Sequence, residues 1–401
     1  MFKNILRALA LIIIVGVIVG GSFGAGFLVS QRFNPPPPPP DGGAPDSDWK
    51  AAMPVYWEAW NYVQQDFYKT NLDKDELVEG SIGGMVQALG DQHTVFIAAR
   101  QAEISRSGLE GSFEGIGATI EMQEGRLTIV SPIKGTPADK AGLIPGDVIL
   151  KVNDTIIQNM DVNQAVQLIR GPKGTKVKLL IQRAKQAPFE LELTRDKIVT
   201  PFVESKMIEN TTLAYVRLNQ FGATAPDDLR KALRELNGQK PTGLILDLRR
   251  NPGGYLSVAV EVASQFIKSN QTVLIQKDKN GRAQELKTQN GGLALDIPMV
   301  LLVDKGSASA SEIMAAALKD YKRATIIGTK TYGKGSVQNV HTLSDQSELN
   351  VTIARFFSPL GTEINGVGVS PHIEIVPTDD DIANKRDPQL DRAVQFLQTG
   401  K

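Results

Sequence analysis

The chain has no cysteine, so disulfides, thiolate nucleophiles and thiolate metal sites are excluded together. Only three histidines occur, His93, His341 and His372, and no two are spaced as a short zinc-binding motif. A Ser–His–Asp triad would need distant residues to converge, and each histidine reads more simply as a surface or satisfied core residue. Net charge is also missing: 44 basic and 44 acidic residues balance, which argues against an electrostatic grip on nucleic acid. No internal repeat is visible.

What is present organises the 401 residues into several regions. After a short basic N-terminus (1–7), residues 8–30 carry no charge and are long enough, at ~1.5 Å per residue, to span a hydrocarbon core. Lys3 and Arg7 precede the run, and Asp41, Asp46 and Asp48 follow it, so the bulk of the chain is expected outside the cytoplasmic membrane. A cleaved signal segment ending near Gly24-Ala25-Gly26, and hence a secreted protein, is the competing reading. Pro35–Pro40 make residues 31–47 a stiff polyproline stalk.

Residues 48–107 read as a helical layer: Tyr56, Trp60, Val63 and Phe67 recur at helical spacing, as do Leu77, Ile82, Met85 and Leu89. Residues 108–195 read as a small β-rich domain whose one helix, Val162–Ile169, is capped by Asp161. Over 196–378 strands and helices alternate, implying a layered α/β core with a mixed sheet, and 379–401 close with a helix.

Three segments carry chemistry. Lys305-Gly-Ser-Ala-Ser-Ala-Ser-Glu312 joins a buried strand to a helix, where an exposed serine would sit over a helix N-terminus with free N–H groups nearby. A helix cap is the bland alternative. Thr331-Tyr-Gly-Lys-Gly-Ser-Val-Gln338 presents Lys334 between glycines; Gly328-x4-Gly333-Lys334 begins a phosphate-loop pattern, but Gly335 stands where its Ser or Thr should be. A half-buried lysine can instead act as a general base, since burial favours the neutral amine, with Gln338 four residues on to orient it; a Gly-rich hairpin with a solvated lysine is the bland alternative. Asp247-Leu-Arg-Arg-Asn-Pro-Gly-Gly254 offers backbone amides to a ligand.

Together, in this order and spacing, the three segments resemble the carboxyl-terminal processing peptidases, from about Trp49 to the chain end. The resemblance implies Ser309 as nucleophile, Lys334 as general base, Gln338 as its positioning residue, and Gly253, Gly254 and Ala310 around the oxyanion. Gly115-Ile116-Gly117-Ala118 resembles the carboxylate-binding loop of a PDZ domain, which would receive apolar substrate tails along Ala118–Met122. Arg170 is the candidate for carrying a signal from that groove to the core. The resemblance implies an acyl-enzyme endopeptidase without metal or cofactor, and it leaves room for a homodimer or an accessory adaptor. A catalytically inactive PDZ scaffold is the alternative. Asp91-Gln92-His93-Thr94 and Pro371-His372 depart from the family's usual residues and fall outside the expected catalytic set.

Overall fold

The computed structural model describes residues 47–400 apart from 124, 159 and 161, so the apolar run at 8–30, nearly all of the proline stalk and the Asp161 cap lie outside it. Among the described residues no helix is long and apolar enough to cross a membrane. They form two compact units, divided between Leu77 and Val78.

In the first unit, the helix Ser47–Asp66 contains Pro54. Tyr56 and Trp60, one turn apart, stack with centroids 6.2 Å apart. The stripe expected as core or assembly surface stays open in the single chain, with Tyr56, Val63 and Phe67 exposed. The next helix, Lys74–Gln87, buries Val86, while Met85 and Leu89 of the expected apolar face are exposed. Gly80, Gly83 and Gly84 remove side chains from this helix, leaving too little apolar surface to define a face.

The second unit is built on a six-stranded sheet in the order 203–207, 213–218, 243–247, 299–303, 325–328 and 373–374. The first pair is antiparallel and the remaining pairs are parallel. Parallel strands buried on both faces need side chains that are apolar without alternation. Gly243–Asp247 and Met299–Val303 have this character, every residue being buried. Leu244, Leu246, Leu301 and Val303 face one core under the helices Ala225–Asn237, Leu256–Ala263 and Ala310–Asp320. Ile245, Val300 and Leu302 face a smaller core under the C-terminal helix Pro388–Thr399.

That last helix is tied down by charge. Asp387 caps it by accepting the Leu390 N–H at 3.0 Å. Arg249 reaches both Asp387, at 2.7 and 2.8 Å, and the fully buried Asp247. Tyr215 adds a hydroxyl to Asp247 at 2.7 Å. Burial opposes the charge on Asp387, but the guanidinium and backbone donors hold its carboxyl below the usual range. One cation thus serves two carboxylates and fastens the chain end to the sheet.

A second sheet was not legible in the alternating pattern. The long strand Glu348–Phe357 lies at its centre, with Ser336–Thr342 along one side and Val95–Ile97 and Thr272–Asp278 along the other. In the β-rich domain Lys176–Gln182 and Phe189–Thr194 are strands and Val162–Ile169 a helix, as expected. A second, four-residue helix, Pro137–Lys140, opens at the Thr136-Pro137 turn, where proline sits in the first turn. Its incoming strand Ser112–Gly115 pairs antiparallel with its outgoing strand Asp196–Val199, making a two-stranded neck.

Replacing Arg249 by Ala strands Asp247 as a buried uncompensated charge, for which a loss of about 3–5 kcal/mol is expected. Thermal unfolding checks this: Arg249→Ala should melt well below the parent, and Asp387→Asn, whose carboxylate is part-exposed, by less.

Candidate active site

The turn after Met299–Val303 is built by hydrogen bonds that consume two of its three serines. Ser307, fully buried, donates to the carbonyl of Leu248 at 2.8 Å. Ser311, also fully buried, donates to the carbonyl of Asn251 at 2.9 Å. Ser309 is only part-buried and stands at φ 54°, ψ −114°, immediately before the helix Ala310–Asp320. Such a backbone costs ~1–3 kcal/mol and persists only where the surroundings enforce it, as at a strained strand-to-helix turn that lifts a nucleophile into a cleft. Of the three serines, Ser307 and Ser311 give their hydroxyl protons to backbone carbonyls, and Ser309 is the one that is not fully buried.

The Asp247–Gly254 loop packs directly beneath. A Cβ on Gly253 would lie 2.8 Å from Ser309 Cβ and 2.9 Å from the Ala310 nitrogen, so only glycine permits this approach. The Gly253 N–H, however, donates to Asn251 Oδ1 at 2.9 Å. The N–H groups of Gly254 and Ala310 have no acceptor among the described residues. Both lie on segments that pack against Ser309.

Glu312 joins this turn to the lysine segment. Fully buried, it receives four hydrogen bonds: from the N–H of Ser309 at 3.0 Å, Gly333 at 2.6 Å and Lys334 at 2.8 Å, and from the Thr331 hydroxyl at 2.6 Å. Sequence reading assigned this residue nothing, although Ser309-x-x-Glu312 has the spacing of a capping box, which places a Glu against the N-terminal amides of its helix. Its reach to a second segment, by contrast, exists only in the fold.

Lys334 is part-buried ahead of the strand Ser336–Thr342. Burial pushes its ammonium below the usual lysine range, and the Asp91 carboxylate opposes that shift. Lys334 Nζ and Ser309 Oγ make no hydrogen bond to each other in this arrangement. Gln338 Nε2 donates to Ser336 Oγ at 2.7 Å and to Thr352 Oγ1 at 3.4 Å, which leaves its carbonyl oxygen to accept from an ammonium. The 91–94 loop, expected outside the site, lies within electrostatic range of it. The His93 imidazole is held below its usual value by burial first and then by the Lys334 charge. His341 and His372 pair elsewhere: the latter's Nδ1 accepts the Ile326 N–H at 2.9 Å.

The PDZ-like loop forms a separate groove of about 300 Å³ lined by Ile116, Ile120, Val166, Ile169 and Arg170. Gly115 ends the incoming neck strand, and Gly117, at φ 78°, has Thr136 so close that an added Cβ would lie 2.4 Å away. Ala118 opens a strand that, among the described residues, pairs with Arg126–Pro132 alone and forms the edge of its sheet. Arg170 stands over the Phe113 ring at 4.4 Å and donates to Ser107 Oγ at 3.3 Å. Burial lowers its ordinary guanidinium value.

A serine on a strained turn beside open amides, within a fold that also carries a peptide-binding module, defines a serine-type peptidase with a PDZ domain. Comparison with known proteins agrees: the family model described as Peptidase family S41 matches residues 212–375, and a PDZ domain model matches 128–183. The chain is 38% identical over 317 residues to the carboxy-terminal processing protease CtpA of Bacillus subtilis, covering 79% of this chain and 67% of that one. It is 37% identical over 313 residues to the carboxy-terminal-processing protease of Bartonella bacilliformis, covering 77% and 71%. The solved photosystem II D1 C-terminal processing protease aligns with 30% identity and a TM-score of 0.50, over 80% of this chain and 92% of that one. The chain belongs to the carboxy-terminal processing peptidases of family S41.

Glu312→Gln turns one acceptor oxygen into a donor facing N–H groups. A peptidase assay is expected to show cleavage reduced roughly 100-fold, and unfolding a loss of about 1–3 kcal/mol, the desolvation penalty of the amides left unpaired.

Proposed function

We propose that this protein is a membrane-anchored serine endopeptidase that cuts protein substrates near their C-termini outside the cytoplasmic membrane. Ser309 is the nucleophile, Lys334 the general base, and Gln338 holds the base. The observation that carries the reading is the shared carboxylate of Glu312, which hydrogen-bonds the backbones of Ser309 and Lys334 and so ties the two segments together. In acylation, Ser309 Oγ attacks the scissile carbonyl carbon as its proton passes to neutral Lys334 Nζ. The oxygen that gains charge is met by the N–H groups of Gly254 and Ala310. The lysine then returns the proton to the leaving amine as the C–N bond breaks, and water, activated by the same amine, hydrolyses the ester.

The apolar groove and open strand edge fit a C-terminal tail with an apolar last residue. Arg170 links that groove to the core through Ser107, on the helix Ala99–Leu109 that leads into the neck. Because Ser309 and Lys334 are not yet hydrogen-bonded, a tail in the groove has a step left to drive, namely the closing of the pair. The uncharged run at 8–30, flanked by basic residues on one side and acidic on the other, supports the anchor.

The direct test incubates the protein, with EDTA and without nucleotide, with an unfolded polypeptide ending in apolar residues. The parent should cleave it and Ser309→Ala should not; equal cleavage by both would remove Ser309 from the mechanism. Only the free amine accepts a proton, so kcat/KM should rise with pH through a one-proton limb centred below the ordinary lysine value of ~10.4. Lys334→Arg, which cannot deprotonate, should be inactive at every pH. Arg170→Ala should melt like the parent yet lose most turnover, and wild-type rates from that variant would uncouple the groove from the site.

A further inference from the structure

The loop Asp91–Thr94, in which Gln92 departs from the family's usual proline, is pinned to the strand that runs beside the lysine. Asp91 Oδ2 accepts the Thr94 hydroxyl at 2.6 Å, and Oδ1 accepts the His93 N–H at 3.2 Å. Thr94, buried, in turn accepts the N–H of Thr352 at 3.1 Å. Thr352 sits directly opposite Gln338 across the ladder, beside a bulge between Val337 and Gln338. Its hydroxyl accepts from Gln338 Nε2 at 3.4 Å, and the Thr94 hydroxyl that receives its N–H is itself held by the Asp91 carboxylate. With the Gln338 nitrogen directed at Ser336 and Thr352, its oxygen is left to accept from another donor. Through Thr94 the carboxylate therefore holds the strand position against which the residue expected to hold the base is set.

We propose that Asp91 is a positioning residue for the lysine base, orienting Gln338 through Thr352 and supplying the negative charge that stabilises the Lys334 ammonium formed when Ser309 gives up its proton. This rests on the Ser309–Lys334 reading above and deepens it. The step balances within the site: the proton leaves Ser309 Oγ, the oxygen's electron pair forms the bond to the carbonyl carbon, and the proton on Lys334 later departs with the amine. Asp91 gains and loses nothing. It stays anionic throughout, because burial, which would raise its carboxyl, is outweighed by the Thr352 and Thr94 hydroxyls and the His93 amide, which hold it at about 2. The charges of Asp91 and Lys334 act on each other, as do those of His93 and Lys334, while Glu312 takes the lysine's backbone N–H. His93 is held below its ordinary value by burial and by the lysine charge, and Asp91 is the anion acting on the ammonium.

The experiment measures kcat, KM and the pH profile of kcat for Asp91→Asn, Thr352→Val and Ser309→Ala in the full-length enzyme, each with a melting curve. Asp91→Asn is expected to lower kcat about 10- to 100-fold, part of what a general base contributes, with KM little changed. Its acid limb should move to lower pH, because the ammonium has lost its counter-charge. Thr352→Val, which keeps the charge and breaks the link to Gln338, should lower kcat and leave the limb where it was. In a His93→Gln background the shift caused by Asp91→Asn should persist, assigning the limb to the lysine. A folded Asp91→Asn enzyme with parental kcat and an unmoved limb, beside an inactive Ser309→Ala, overturns this inference alone. Should Asp91→Asn fail to fold, parental kcat in Thr352→Val overturns the orienting role by itself. Cleavage by Ser309→Ala at the parental rate would overturn the underlying reading instead.

Discussion

The site depends on one buried carboxylate. Glu312 lies in the first turn of the helix that Ser309 opens, and its two oxygens receive donors from that turn and from the Thr331–Lys334 segment. Four donors on one carboxylate offset the cost of burying it, which for an unpaired charge would be prohibitive. The same bonds fix the two backbones relative to each other, although 25 residues of sequence separate Ser309 from Lys334. Without this tie the strained turn at Ser309 would lack one of the contacts that enforce it, and the lysine loop, rich in glycine, would be free to take other shapes.

Around that tie the fold divides its labour between two sheets. The parallel sheet, buried on both faces, sets the serine turn and the Asp247–Gly254 loop at the ends of adjacent strands, Met299–Val303 and Gly243–Asp247. The antiparallel sheet carries Gln338, Thr352 and, through its short strand Val95–Ile97, the loop with Asp91. The proposed nucleophile on one rigid layer and the proposed base beside another would suit control by small movements, because packed layers shift between discrete arrangements and do not deform smoothly. The neck that joins the PDZ domain to this unit, and the Arg170–Ser107 contact beside it, lie where such a movement would be transmitted.

Much of this was legible beforehand. The all-apolar strands, the amphipathic helix Ala225–Asn237 and the β-rich domain follow from periodicity, and the three Gly- and Ser-rich segments stand out as turns that expose backbone amides. Other features were not legible, for identifiable reasons. The Lys74–Gln87 helix has helical spacing but too many glycines to bury the face that spacing suggests. The antiparallel sheet escaped because its strands mix polar and apolar residues and pair across long separations, as Val95 does with Asn350. Asp91 and Thr94 looked like a local turn, and their partner Thr352 is remote in sequence.

By itself, then, the sequence determined the class of layers, the inventory of chemical groups and the absence of thiol chemistry, since each follows from local composition and short-range pattern. Tertiary structure alone decided which of three serines is left unspent, which glycine amide is already occupied, and which acids surround the lysine. Those choices depend on hydrogen bonds between segments far apart in the chain. A donor's availability is a property of its neighbours in space, and those neighbours exist only once the layers have packed.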